Sequence, residues 1–342
     1  MTGITGQTMK AMTIRSPGGL DNLVLVDRPV PKLGSGEVLI RVRASSLNYH
    51  DYVVAAGIMQ VQDGVVAMSD AAGEIVGVGA GVGEFAPGDR VMSLFYPAWQ
   101  TGAPDNDYNK FKPGENCDGY GAEYVVIPAS WVTRMPAGYD FCEAASLTCA
   151  GLTAWAGVAR DGGIDANSTV LVQGTGGVSM FALQFAKALG AKVIATSSSD
   201  EKIERLKRLG ADHCINYRDV PDWGRVAREI TGGRGVDLVV EVGGGGTFAQ
   251  SVDACRTGGR ISLIGIMGGM GGDVPLAKVF VKQITVFGLA VGSRDDQIAM
   301  IEQIERDGIR PVIDSSFPLA ELAQAYRHQE SGKHFGKICI TI

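Results

Sequence analysis

Residues 170–179 read Val-Leu-Val-Gln-Gly-Thr-Gly-Gly-Val-Ser, an apolar run that breaks into glycines and then opens an amphipathic period. Glycine at 174 permits a tight turn, and glycine at 176 lets the backbone approach a bulky anion. The helix that follows offers unpaired N–H groups and the positive end of its dipole. Gly174, Thr175, Gly176, Gly177 and Val178 are therefore the expected cradle of a dinucleotide pyrophosphate. Ser179 replaces the customary third glycine and is small enough to keep helix and strand close.

About 20 residues past the first glycine, NAD-binding units of this kind place a carboxylate that accepts hydrogen bonds from the ribose hydroxyls. This chain has Thr196, Ser197, Ser198 and Ser199 there, followed by Asp200, Glu201 and Lys202. A carboxylate at that point would repel the extra phosphate of NADP. Hydroxyls donate to it, and Lys202, with Arg205 or Arg218 as helpers, would neutralise it. NADP is the expected cofactor, although Asp200 leaves room for NAD, and Lys202 also reads as an ordinary solvated residue at a helix start.

Other reactive residue types show no pattern. The six cysteines, 117, 142, 149, 214, 255 and 339, form no C-x-x-C pair, and the four histidines form no H-E-x-x-H. The cysteines read as buried free thiols of a reducing compartment, and no structural zinc site is expected.

A chain of 342 residues calls for two domains. With 45% apolar and 20% charged residues it has a globular composition. The net charge of −6 gives no general attraction to nucleic acid or anionic membrane. No run is long and apolar enough for a membrane span, and the first residues lack a signal-peptide layout. A cytoplasmic chain with a disordered leader of about eight residues is expected.

The first third is rich in strand signals without βαβ spacing, and residues 94–118 form a long polar and aromatic excursion. From about residue 140, short Val/Ile-rich runs alternate with helical periods near residues 178–189, 201–209, 222–231 and 248–255. That alternation means a doubly wound parallel sheet. The tail supplies two more strands, near 310–318 and 336–342, that the series has no place for. The expected division is 134–295 for the nucleotide-binding domain and 1–133 with 296–342 for a discontinuous second domain.

The segments 79–91 (GAGVGEFAPGDRV, from 79 on), SLTCAGLTAW, GTGGVSMFALQFAKALGAKVIATSSSDEK, LGADHCINY and GGRISLIG together resemble the medium-chain dehydrogenase/reductase superfamily over nearly the whole chain. Gln184 and Lys187 resemble the quinone oxidoreductase branch. The resemblance implies an α/β fold: a Rossmann doubly wound parallel sheet plus a discontinuous, β-rich GroES-like catalytic domain, with a cleft between them. It implies a homodimer formed through the last Rossmann strand, around 285–291. Lys202 and Tyr217 would bind the adenosine phosphate, Thr148 and Thr153 would lie near the nicotinamide, and Gly243, Ile264, Gly265 and Val291 would line the cofactor.

Zinc members of the superfamily carry ligands at positions that align here with Asn48, Ser69 and Cys149, so one ligand type of three remains. A catalytic zinc needs three protein ligands, and no metal is expected. Alcohol oxidation needs a stabiliser for the developing alkoxide, commonly zinc. Hydride delivery to a quinone or an α,β-unsaturated carbonyl is easier without it, because conjugation spreads the charge. The resemblance puts the loop LNYHDYV over the nicotinamide, which makes Asn48, Asp51 and Tyr52 the catalytic candidates. Asn48 would donate an N–H to the substrate oxygen, and Tyr52 would donate a proton or close the pocket. Asp51 equally reads as a helix cap, His50 as a packing residue rather than a base, and Tyr49, Tyr96 and Trp99 as either stacking or packing aromatics. The expected function is a zinc-independent, NADPH-dependent oxidoreductase acting on a small molecule. An NAD(P)-dependent alcohol dehydrogenase and a non-enzymatic NADPH-binding protein are the alternatives.

Overall fold

A computed structural model describes residues 6–342. They form two compact units, one comprising the residues up to Leu152 together with Gly292–Ile342, the other Thr153–Val291. The expected leader falls largely on residues 1–5, outside the described residues; the first strand already begins at Thr8.

The first unit opens with β1 (Thr8–Ile14), β2 (Leu23–Pro29) and β3 (Glu37–Ser46), then helix α1 (Tyr49–Ala55). Strands β4 (Val65–Val66), β5 (Ala72–Val78), β6 (Arg90–Ser93), β7 (Tyr124–Pro128) and β8 (Val132–Arg134) follow, then α2 (Phe141–Ala145) and a wide π-helical segment, Leu147–Gly151. A small sheet has the order β2-β1-β4. Strand β3 is antiparallel to β5 and β7, and its inward residues Val38, Ile40 and Val42 join Ile75, Val91, Tyr120, Val125 and Ile127 in one buried cluster.

Residues 94–123 contain no strand, as the excursion reading requires. The excursion is nevertheless anchored: Gly119 N–H donates to Val66 O (2.8 Å), and Tyr120 and Gly121 donate to Met68 O and Ala67 O (2.9 and 2.8 Å). The approach is close enough that a Cβ on Gly119 would lie 2.2 Å from Met68 O. Met68 itself is left-handed, with φ +78°, a conformation a non-glycine residue adopts only where its surroundings fix it.

The second unit starts within α3 (Leu152–Trp155) and continues through β9 (Thr169–Gln173), α4 (Gly177–Ala188), β10 (Lys192–Ser197), α5 (Asp200–Arg208), β11 (His213–Asn216), α6 (Trp223–Ile230) and β12 (Val236–Glu241). It ends with α7 (Phe248–Ala254), β13 (Cys255–Leu263), α8 (Leu276–Val281) and β14 (Thr285–Gly288). The six strands are parallel in the order β11-β10-β9-β12-β13-β14. Every residue of β12 and four of the five residues of β9 are buried, as parallel strands covered on both faces require. Helix α8 had no counterpart in the sequence reading, because its apolar residues face outward.

The chain then returns to the first unit. Helix α9 (Arg294–Asp307) is capped by Ser293, whose Oγ accepts from Asp296 N–H (3.1 Å), and stops at Gly308 with φ +65°. After it come β15 (Ile313–Pro318), α10 (Leu322–Glu330) and β16 (Lys337–Thr341). Strand β16 lies antiparallel to β3, with Cys339 opposite Ser46, and completes the order β15-β16-β3-β5-β6-β8. The unit boundaries fall after residues 152 and 291, against the expected 133 and 295, because α2 packs on β3, β5 and β16.

The thiol reading needs correction at two positions. Cys142 of α2 and Cys339 of β16 form a disulfide, their Cα atoms 5.7 Å apart and 197 residues apart in sequence. No local spacing could have paired them. Cys117, Cys149, Cys214 and Cys255 form no disulfide, and of these Cys255 is buried while the other three are half-buried. A cross-link over so long a loop stabilises by about 2–4 kcal/mol, so reduction should lower the melting temperature of the first unit by roughly 5–10 °C. Scanning calorimetry with and without reductant checks this, and a Cys142→Ser variant should be indifferent to reductant.

Candidate active site

In the second unit, Gly174 has φ +70° and its N–H donates to Thr196 O (2.9 Å), which folds the β9–α4 turn back over the end of β10. A Cβ built on Gly174 or Gly176 would meet no atom within 4 Å, so the ground beside the turn is open. Gly176 caps α4 without a side-chain hydrogen bond, which leaves the first-turn N–H groups at that open ground. Ser179 Oγ donates to Gln173 O (2.6 Å), keeping helix and strand close as the small residue there predicted. These residues fit a dinucleotide pyrophosphate.

Strand ends β12 and β13 supply a second structured turn, organised by a residue the sequence reading missed. Glu241 is fully buried, and its carboxylate accepts from Gln173 Nε2 (2.8 Å), the Gly243 and Gly244 N–H groups (2.7 and 2.9 Å), Thr247 Oγ1 (2.6 Å) and Ser251 Oγ. Its backbone oxygen accepts from Ile264 and Gly265 N–H (2.9 and 3.2 Å). Gly243, Ile264 and Gly265 are thus brought to one edge. Thr153 and Val291, the latter with φ +57°, are buried in the same unit.

At the end of β10, Ser197 is buried, and its carbonyl accepts from Tyr217 N–H (3.0 Å), so Ser197 and Tyr217 share one corner. Ser198 follows half-buried, and Ser199 caps α5 by accepting from Lys202 N–H (3.5 Å). Asp200, the carboxylate that would favour NAD, is turned to Asn216 Nδ2 (2.9 Å).

In the first unit, Asn48, Asp51 and Tyr52 stand at the start of α1, with different tasks. The Asp51 carboxylate is buried and accepts from Asn48 N–H (3.0 Å) and Ser69 N–H (2.9 Å), which is the capping role, and it also ties α1 to the turn before β5. Tyr52 O–H donates to Glu330 Oε1 (2.5 Å); this bond, with a smaller contribution from burial, raises its pKa to about 12. Tyr52 is therefore not poised to hand over a proton at neutral pH.

Asn48 is buried, and its carboxamide oxygen accepts from Lys337 Nζ (2.7 Å) while Nδ2 faces Ser69 Oγ (3.4 Å). Lys337 also donates to Leu47 O (2.5 Å) and lies 3.9 Å from Asp70 Oδ2. Asp70 is fully buried and accepts from Ser46 Oγ (2.7 Å); burial pushes its pKa up, to about 7, against the pull of Lys337. The sequence reading missed Asp70 and Lys337. A lone lysine opening the apolar run Lys337–Thr341 was the available signal.

Thr148 is buried in the π-helical segment, with its hydroxyl on Ser93 O (3.0 Å). Tyr96 and Trp99 pack with Phe95 and Tyr108 in an aromatic cluster of the excursion. His50 is a link: Nε2 meets Glu115 Oε2 (2.7 Å), Nδ1 lies 3.9 Å from Asp51 Oδ1, and Lys112 pairs with the same Glu115.

The positions aligned with zinc ligands hold an amide, a hydroxyl and a thiol. Among the described residues no group of three His, Cys, Asp or Glu side chains could hold a metal ion. The amide oxygen is moreover taken by an ammonium that would repel a second cation, so these residues do not fit a catalytic zinc.

A zinc-type alcohol dehydrogenase-like protein of Schizosaccharomyces pombe is 40% identical over 95% of this chain and 96% of its own length. The chain belongs to the medium-chain dehydrogenase/reductase superfamily. Residues 34–137 match the alcohol dehydrogenase GroES-like domain, and residues 177–306 the zinc-binding dehydrogenase domain. An acryloyl-coenzyme A reductase of Sulfurisphaera tokodaii is 29% identical over 97% of this chain and 99% of its own. The crystal structure of an NAD-dependent alcohol dehydrogenase, 35% identical, superposes with a TM-score of 0.89 over 98% of this chain and 100% of its own. As a member of this superfamily the chain is an oxidoreductase that uses a nicotinamide cofactor.

His50 generates a pH prediction. Burial lowers its pKa, but Asp51 and Glu115 outweigh that and raise it above 6.5. A raised value means that the tie from α1 to the excursion is fully present below pH 6.5 and is lost as pH rises through the folded-state value. Hydrogen exchange of residues 95–118 should therefore accelerate between pH 6 and pH 9, after correction for the intrinsic rate. A His50→Gln variant should show no such pH-dependent step.

Proposed function

We propose that this chain is a zinc-independent, NADPH-dependent reductase that delivers hydride to a quinone or an α,β-unsaturated carbonyl compound. The observation that carries the reading is the donor set of the first unit: where zinc members hold a Lewis acid, Asn48 is pinned by the Lys337 ammonium. Hydrogen-bond donation of this kind supports an acceptor that delocalises its own charge better than one that must form a localised alkoxide. The nicotinamide supplies the hydride. Asn48 donates to the acceptor oxygen, Asp51 shapes the loop, and the Gly174–Gly176 turn and the Gly243 and Gly265 edge hold the cofactor. Preference for NADPH is supported by the hydroxyls at 196–199, by Lys202 in the first turn of α5, and by the engagement of Asp200 with Asn216.

A fluorescence titration with NADPH and NADH, on wild type and Lys202→Ala, tests the cofactor. NADPH should bind at least tenfold more tightly, and the variant should lose most of that preference; equal binding of the two cofactors rejects the clamp. Turnover of NADPH with 1,4-benzoquinone and 2-cyclohexenone should survive chelation. Stoichiometric zinc with chelator-sensitive alcohol oxidation would instead establish the alcohol dehydrogenase reading that the names of the relatives favour.

We further infer a homodimer. Strand β14 is a sheet edge, and beside it Val286, Leu276, Phe280 and Val281 expose 38%, 71%, 82% and 71% of their surface. An apolar edge of this kind is a template for a second copy. Light scattering should give twice the monomer mass, and Val286→Lys should shift it toward the monomer.

A further inference from the structure

Lys337 is a buried side chain with two hydrogen-bond acceptors and an acidic neighbour. It is 3% exposed and donates to Leu47 O and Asn48 Oδ1, with Asp70 as its counter-ion. An ammonium can only donate. A carboxamide can rotate by half a turn and exchange its donor and acceptor ends at little steric cost. With Lys337 in place the two ends are not equivalent: rotation would turn the Asn48 N–H groups against an ammonium that offers only N–H donors.

We propose that Lys337 is a positioning residue for acceptor reduction, fixing the Asn48 carboxamide so that it meets the reacting oxygen as a donor and never as an acceptor. This rests on the reductase reading, in which Asn48 touches the acceptor. Asp70 Oδ2 lies 3.9 Å from the Lys337 Nζ that holds the amide oxygen. Ser46 holds Asp70 Oδ2, and the pairing of Cys339 with Ser46 in the β3–β16 register brings the lysine to the loop. No group is consumed in this role. Hydride reaches the acceptor from the cofactor, the proton that completes the reduction comes from water, and Lys337 and Asn48 end as they began.

A purely structural lysine would predict something different from a positioning one, and a double-mutant cycle separates them. The variants are Lys337→Met, Asn48→Asp, which keeps the shape but ends in acceptors alone, and the double variant. Each is assayed for kcat with NADPH and 1,4-benzoquinone, for NADPH affinity by fluorescence, and for melting temperature. Lys337→Met should lose roughly 10- to 100-fold in kcat, the scale of a misplaced reacting group, with NADPH affinity within about twofold of wild type, the margin expected when uniform binding is untouched. Asn48→Asp should lose a similar factor. In the Asn48→Asp background, Lys337→Met should then cost less than about twofold, because units acting together are not additive.

If Lys337→Met does not fold, Lys337→Gln takes its place in the cycle. It retains a donor toward Asn48 and should keep more kcat than a methionine would. A folded Lys337 variant with wild-type kcat, or an equal loss in both Asn48 backgrounds, overturns the positioning role and leaves the reductase reading standing. Wild-type kcat in Asn48→Asp, or no turnover by the wild type, overturns the reading itself and the proposal with it.

Discussion

A buried ammonium is an expensive object, and the first unit is built around paying that cost. Removing one partner from a buried charge pair costs about 3–5 kcal/mol, because the other charge is left uncompensated. Lys337 meets the requirement with a carbonyl from Leu47, a carboxamide from Asn48 and a carboxylate from Asp70. Those three groups come from the end of β3, the N-cap of α1 and the turn before β5. The lysine comes from the last strand of the chain. The loop at 47–52 therefore has its final electrostatic surroundings only when residues 337–341 have joined β3, which gives a physical reason for the chain to return to its first unit.

The second unit solves the analogous problem with the opposite charge. Glu241 is a fully buried carboxylate whose partners are short donors close in space: the Gly243 and Gly244 N–H groups, Thr247, Ser251 and Gln173. Hydrogen bonds to a charged acceptor are roughly twice as strong as neutral ones. This set gives a glycine-rich turn, otherwise short of side-chain contacts, a defined shape. In both units a buried ionisable group with several hydrogen-bond partners gives a turn its shape.

The contrast explains what the sequence disclosed. The β9–α4 turn, the six-strand series and the extra strands of the tail are written in local patterns, where strand period, helix period and glycine placement act over ten or twenty residues. Asp51 was legible as a cap for the same reason. The groups that shape the site are paired over long distances: Lys337 with Asn48 across 289 residues, Cys142 with Cys339 across 197, and His50 with Glu115 across 65. None has a period, and each becomes visible only through the sheet order that joins β16 to β3 or through the anchoring of the excursion on Met68. Helix α8 escaped for another reason. Its apolar residues are exposed, so they lack the amphipathic pattern that marks a helix packed on its own core.

On the zinc-independent reading we propose, the fold keeps its architecture while a charge as well as ligands is replaced. Asn48, Ser69 and Cys149 include one ionisable side chain, and the buried Asp70 beside them, whose pKa burial raises to about 7 against the pull of Lys337, has that ammonium 3.9 Å away. Lys337 supplies that cation from the protein itself. The exchange is not neutral for chemistry, because an ammonium bound to a carboxamide cannot accept a lone pair from a substrate as a metal does; it can only bias which end of the amide faces outward. What this arrangement can offer a reacting oxygen is an oriented N–H in a water-poor setting, whose value grows as the dielectric falls. On the reductase reading we propose, such a donor stabilises a charge already shared over a conjugated system more effectively, relative to need, than one concentrated on a single alkoxide oxygen.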